Sequence, residues 1–177
     1  MRENTRHWEA GKCLETLRGA VGLSEFGYRI QGLAAHVLLR IGARVLEVNS
    51  QGHPDIIAET DKGLIRIEVE ADIHGSRARA LTEEVLDGME PRSAADKGYF
   101  ALALCGPYPR WLLVDYSPLR RRHGTPASPA ILQALSDAED SERWTAEFIT
   151  LLVTHCRHLP AFSFDFLARR ALEGRAL

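Results

Sequence analysis

The sequence predicts an α/β protein with a mixed central sheet flanked by helices and a helical C-terminal extension. Two observations carry this reading. Residues 43–48, 54–58 and 64–70 are short strand-like stretches, separated by a Gly-containing loop at 49–53 and an Asp- and Gly-containing turn at 59–63. Residues 99–105 form a nearly unbroken apolar run, the pattern of a strand buried on both faces, and helical periodicities lie before, between and after these stretches.

In chain order, residues 3–18 read as a helix with Trp8, Cys13, Leu14 and Leu17 on its inner side, ending near Gly19. A stronger helix is expected over 24–41, with Ser24 as N-cap, Leu33, Val37, Leu38 and Ile41 as its apolar stripe and Gly42 closing it. A strand over 43–48 leads through a loop at 49–53 into a hairpin. A further helix is expected over 76–89, with Ala80, Leu81, Val85 and Leu86 inward and Pro91 just beyond it. Strands follow over 99–105 and 110–116. A helix between the hairpin and residues 99–105 implies a parallel pairing with a right-handed crossover. Beyond Tyr116 a proline-containing loop with Arg120, Arg121, Arg122 and His123 precedes three expected helices, at 130–138, 141–157 and 163–172. The expected organisation is an N-terminal helix over 1–23, a core over 24–116, and a basic loop with packed C-terminal helices over 117–177.

The 177 residues suit one full-sized core, and 45% hydrophobic with 26% charged residues is ordinary for a globular chain. The apolar runs are too short to span a bilayer and the first residues carry charge where a signal peptide needs an apolar stretch, so the expectation is a cytoplasmic protein without a membrane partner. Cys13, Cys105 and Cys156 form no C-x-x-C pair and are expected to be reduced and buried. A net charge of −2 provides no global positive field, so any nucleic-acid contact must come from a local basic patch. The phosphate-loop, dinucleotide-turn and serine-elbow motifs are all missing from the sequence, which disfavours those chemistries.

The densest chemistry lies in the hairpin. Glu59-Thr60-Asp61-Lys62-Gly63 separates the two β-rich runs and fits a three- to four-residue loop. Centring the turn between Asp61 and Lys62 pairs residues whose numbers sum to 123, which sets Asp55 across from Glu68. Opposed residues have Cβ atoms roughly 4.5–5.5 Å apart, close enough for two carboxylates to share a cation such as Mg²⁺ or Mn²⁺. Alternation places Arg66, Glu68, Glu70 and Asp72 on that face and Ile65, Ile67, Val69 and Ala71 toward the core. The competing explanation is a hairpin with a solvated acidic face. Against it, Asp is depleted in strands and Pro54 is tolerated only at a strand start or edge, so the Pro-Asp opening requires a local cause.

A helix, a strand ending in Gly, Pro54-Asp55 on a second strand, Glu68-Val69-Glu70 on the third, then a helix and a strand, resembles the PD-(D/E)XK nuclease superfamily over roughly residues 24–116. The resemblance implies a restriction-endonuclease-like αβββαβ core and Mg²⁺- or Mn²⁺-dependent hydrolysis of DNA phosphodiester bonds. It implies that Asp55 and Glu68 hold the metal, with the Val69 carbonyl as a further ligand. Glu70 stands where that family usually has a lysine that positions or deprotonates water, and Gln31 where an acidic helix residue often buttresses the site. The alternative implied is an inactive nuclease-fold subunit that binds DNA or a partner protein. As partners the resemblance implies DNA and a homodimer or larger defence or repair complex, for which Trp144, Phe148, Leu151 and Leu152 offer an interface or a core stripe.

Other groups carry weaker expectations. Arg77 and Arg79 with Arg120, Arg121 and Arg122 are the phosphate-contact candidates. Lys62 reads as a solvated turn residue, Lys97 as a surface residue, and His53 and His74 as loop histidines flanking the acidic strands. His155-Cys156-Arg157-His158 lacks a second ligand pair for zinc and reads as a helix end.

Overall fold

A computed structural model describes residues 2–51, 54–61, 63–72, 99–105, 109, 111–115 and 139–177. Helix α1 (Arg2–Val21) is followed by α2 (Leu23–Arg40), β1 (Arg44–Val48), β2 (Ile56–Thr60), β3 (Gly63–Asp72), β4 (Tyr99–Cys105), β5 (Trp111–Asp115), α3 (Glu139–His155), a short 3-10 turn at Leu159–Ala161 and α4 (Phe164–Leu172). The expected helices at 76–89 and 130–138 lie outside the described residues. Among the described residues no helix is long and apolar enough to cross a membrane.

The strands form one five-stranded sheet in the order β1-β2-β3-β4-β5. Pairing is antiparallel except between β3 and β4, which run parallel with Glu68 opposite Ala101 and Glu70 opposite Ala103. The protein is thus a mixed α/β fold, with the parallel pair where the sequence places a crossover. In the β2–β3 hairpin Ile56 faces Ile67, Ile57 faces Arg66 and Thr60 faces Gly63, so every pair sums to 123 as expected. The ladder continues to Thr60, leaving only Asp61 and Lys62 between the strands, a shorter connection than the turn composition indicates. Gly63 there has φ 110, a conformation that a Cβ disfavours. The β1–β2 register shifts between Val45 and Glu47, a bulge of the kind that bends a strand near its end.

Helix α2 is the hub of the core. From Phe26 to Leu38 it buries residues all round its axis, because it packs against β1, β2 and β3 and also against α1, α3 and α4. Its end is a Schellman motif: Gly42, at φ 94, donates its N–H to the Leu39 carbonyl at 3.1 Å, and Ala43 donates to Leu38 at 2.9 Å. Its start corrects the sequence reading. The N-cap is Gly22, without a side-chain cap, and Ser24 lies inside the helix. Helix α1 likewise runs past Gly19 to Val21; Cys13, Leu14 and Leu17 are buried, but Trp8 is 52% exposed, with Lys12 stacked over its ring at 3.8 Å. Ile41 is only partly buried.

The C-terminal helices belong to the same core. Trp144, Phe148, Leu151 and Leu152 are at most 4% exposed and join the cluster built on α1, α2 and the sheet, so this stripe is used within the chain and offers no dimer surface. Trp111 of β5 meets Phe148 edge to face at 4.8 Å, and its backbone N–H donates to Thr145 Oγ1 at 2.9 Å. Ser163 caps α4 by accepting the Phe166 N–H at 3.1 Å.

Helices α2 and α4 approach closely at Gly32. A Cβ on that residue would stand 2.7 Å from Leu167 Cβ, an atom that cannot swing away. One turn further along α2, fully buried His36 donates from Nε2 to the Leu167 carbonyl at 3.0 Å, while its Nδ1 is buried and finds no hydrogen-bond partner among the described residues. Burial, which outweighs that hydrogen bond, lowers the His36 pKa to about 4, with Arg170 and His155 acting in the same direction.

Gly32→Ala is expected to lower the urea-unfolding free energy by about 1–3 kcal/mol, because α4 must shift to admit the methyl group. The folded-state pKa of His36 lies below its unfolded value near 6.5. The unfolded chain therefore binds the extra proton, and the His36 contribution is complete above that value and lost as pH falls toward 4, on the order of 3 kcal/mol in all. His36→Gln should flatten this part of the stability profile between pH 6.5 and 4, as measured by denaturant midpoints.

Candidate metal centre

The acidic hairpin is built from the way β2 begins. Continuing the β2–β3 register past Ile56 and Ile67 sets Asp55 across from Glu68 and Pro54 across from Val69. Pro54 has no N–H, and its carbonyl accepts Asn49 Nδ2 at 3.0 Å, so it cannot continue the ladder. The Val69 N–H is satisfied instead by the side chain of Asp55, which accepts it on Oδ2 at 2.8 Å. Asn49 also donates its backbone N–H to the Asp55 carbonyl at 2.8 Å, tying the start of the β1–β2 loop to its end. The Pro-Asp opening therefore has a local structural cause: Asp55 caps the ladder that Pro54 interrupts. Sequence reasoning misses Asn49, whose place in an Asn-Ser-Gln-Gly loop signals only a turn.

Burial separates this hairpin from an ordinary solvated face. Asp55 is 8% exposed and Glu68 5%, while Ile67 and Ile56 on the alternate side are fully buried. Both sides of β3 are thus covered at this level. Two buried carboxylates on facing positions are costly to hold as anions unless cationic or hydrogen-bonding groups compensate them. Val69 supplies one such hydrogen bond to Asp55, and bonds of this type favour the ionised form.

As a donor set, two carboxylates at adjoining strand positions present the hard oxygen ligands that Mg²⁺ and Mn²⁺ prefer. A carboxylate offers two oxygens and about four lone-pair sites, so the bond to Val69 leaves Asp55 the capacity to serve a cation as well. In a strand the N–H and C=O of one residue leave by the same edge, which turns the Val69 carbonyl toward the edge where Asp55 lies. The residues here fit such an ion. Among the described residues no group of three or more His, Cys, Asp or Glu side chains converges, and the described part of the centre consists of the Asp55–Glu68 pair with the Val69 backbone.

The remaining candidates divide between the described and undescribed parts of the chain. Glu70 and Asp72 occupy β3 opposite Ala103 and Cys105, and their side chains lie outside what is described. Arg66 is half-buried on β3, opposite Ile57. Gln31 lies half-buried on α2, the helix that packs on β1, β2 and β3, and its Oε1 is buried with no hydrogen-bond partner among the described residues. His53, Lys62, His74, Arg77, Arg79, Lys97, Arg120, Arg121, Arg122 and His123 lie outside the described residues. His155 and His158 are at the α3 end, with Cys156 half-buried rather than buried as expected. No protein-family model, curated protein or solved structure matches the chain.

Asp55→Ala should cost about 1–3 kcal/mol by leaving the Val69 N–H buried and unpaired. Asp55→Asn retains an acceptor oxygen and should lose less than half as much, as read by urea unfolding.

Proposed function

We propose that the chain is a metal-dependent nuclease that hydrolyses DNA phosphodiester bonds with Mg²⁺ or Mn²⁺. The observation that carries this reading is the fixing of the buried Asp55 carboxylate on the Val69 amide, beside buried Glu68, at the end of a hairpin register that by one further step sets Asp55 across from Glu68. The order of α2, the antiparallel β1-β2-β3 and the parallel β4 supports it, since that arrangement is the one the PD-(D/E)XK resemblance implies.

In this reading Asp55 and Glu68 hold the ion and the Val69 carbonyl adds a backbone ligand. An ion held by these residues would supply Lewis-acid polarisation of the scissile phosphate and favour ionisation of the attacking water. The Val69 bond would hold the Asp55 carboxylate in a fixed orientation for such an ion. Glu70, two residues beyond Glu68 along β3, would accept the proton from the attacking water or orient it. Gln31 on α2 buttresses the centre through its amide, whose Oε1 finds no partner among the described residues. Arg77, Arg79 and the Arg120–Arg122 cluster contact the DNA backbone, and cutting both strands calls for a homodimer or a larger complex.

A second reading, a nuclease-fold subunit that binds DNA or a partner protein without cutting, is favoured by Glu70 and Gln31 standing where a lysine and an acid would be. One experiment separates the two. Linear and branched DNA are incubated with the full chain and Mg²⁺ or Mn²⁺, and metal binding is followed by calorimetry. Metal-dependent cleavage that falls at least about 100-fold in Asp55→Asn, Glu68→Gln and Glu70→Ala supports the nuclease. Metal binding without cleavage by the native chain selects the second reading, and neither binding nor cleavage removes the metal centre altogether.

A further inference from the structure

Two thiols meet where α1 crosses the end of α3. Cys13 of α1 is 2% exposed, and its thiol donates to the Leu152 carbonyl at 3.6 Å. Leu152 and Cys156 lie one helical turn apart, so a sulfur seated on the Leu152 carbonyl is also beside residue 156. The Cys156 side chain is near enough to raise the pKa of the Cys13 thiol. Both cysteines are free thiols, and they differ in access: Cys13 is buried, whereas Cys156 is half-buried in the turn after α3.

Adjacent buried thiols are ordinarily small apolar packing groups. This pair is unlike a packing pair in that one member reaches solvent while the other is held against it. Fixed proximity of this kind is what disulfide formation needs, provided the backbone allows the bond geometry.

We propose that Cys13 and Cys156 form an oxidative modification site, at which a low-molecular-weight disulfide converts the two thiols to an intramolecular disulfide joining α1 to the end of α3. Cys156, the accessible member, loses its proton and its thiolate attacks one sulfur of the reagent. The reagent S–S bond breaks, a mixed disulfide forms at Cys156, and one small thiolate leaves and takes up a proton. Cys13 then gives up its proton, its thiolate attacks the Cys156 sulfur, and the second small thiol leaves. Two protein thiols are oxidised and one small disulfide is reduced to two small thiols. Burial and the neighbouring Cys156 push the Cys13 thiol above the usual cysteine range, which assigns Cys13 the slower, resolving step.

The bond would close most of the chain into one loop, and constraining a loop of that length stabilises chiefly by restricting the unfolded chain. The test treats the full chain with oxidised glutathione and follows it by non-reducing peptide mapping and thermal unfolding. The expected result is a cross-linked pair of peptides containing Cys13 and Cys156, a melting temperature higher by roughly 5–15 °C, and reversal of both by dithiothreitol. In Cys13→Ala the reagent should stop at a mixed disulfide on Cys156, and in Cys156→Ser neither product should form. Glutathione retained on native Cys156, a cross-link that uses Cys105 instead, or no loss of thiols overturns the proposal. Because the mapping is performed on the native chain, its outcome decides the matter even where a variant fails to fold.

Discussion

The register of β2 against β3 is the constraint on which the rest of this sheet depends. Strand side chains alternate faces, so a one-residue slip of β2 would turn Ile56 and Ala58 out of the core and bring Ile57 into it, and a slip of β3 would do the same to Ile67 and Arg66. The same slip would break the Asp55 bond to the Val69 N–H, because that bond exists only where Pro54 interrupts the ladder opposite Val69. The hairpin thus has its register fixed at both ends. At one end the short turn with Gly63 at φ 110 allows the strands to pair up to Thr60; at the other, a proline and an aspartate terminate the pairing. Core burial and the candidate centre are consequences of one register, and neither can be altered by a slip without losing the other.

Helix α2 is the second fixed body, and it holds the sheet in relation to the C-terminal helices. Gly32 lets α4 come within the distance that a methyl group would occupy, and the short approach puts the Leu167 carbonyl in reach of His36. On its other flank Arg40 pairs with Glu147 of α3 at 2.8 Å, and near its start Arg29 reaches both Glu25, at 2.5 Å, and the Phe162 carbonyl. These polar links are partly exposed and individually worth little. The close contact at Gly32 dominates, since packing at that distance tolerates neither added volume nor a change of crossing angle.

Much of this is legible in the sequence because it rests on local chemistry. Gly42 ends α2 and Ser163 starts α4 by interactions spanning a few residues, and the sum rule for the hairpin follows from where the turn is centred. Gly22 is hard to read as a cap because Ser24 carries the stronger N-cap preference, yet the chain leaves α1 through a positive φ that only Gly22 adopts readily. Spacing alone places Trp8 inward; α1 is weakly amphipathic, and contact with α2 and α3 selects its buried side further along, at Cys13, Leu14 and Leu17. The Asn49 links are beyond reach for a different reason: the sequence marks a loop there, but which carbonyl its amide finds depends on how the loop closes.

The Asp55 cap also changes what the acidic hairpin means. A carboxylate at the head of a strand needs an explanation, and ladder capping provides one that requires no ion. The cap bond itself is made by Asp55 and the Val69 amide, and Glu68 is the other buried carboxylate of the hairpin. It lies on β3 at 5% exposure, on the side opposite Ile67, and a charged side chain buried to that degree requires compensating charge or hydrogen bonds around it. Glu68 already has an interaction partner within the fold, and in the proposed reading a cation would share with that partner the compensation that its burial requires. Asp55 contributes a carboxylate already held in place, and a shared positive charge would lower the cost of burying Glu68 beside it.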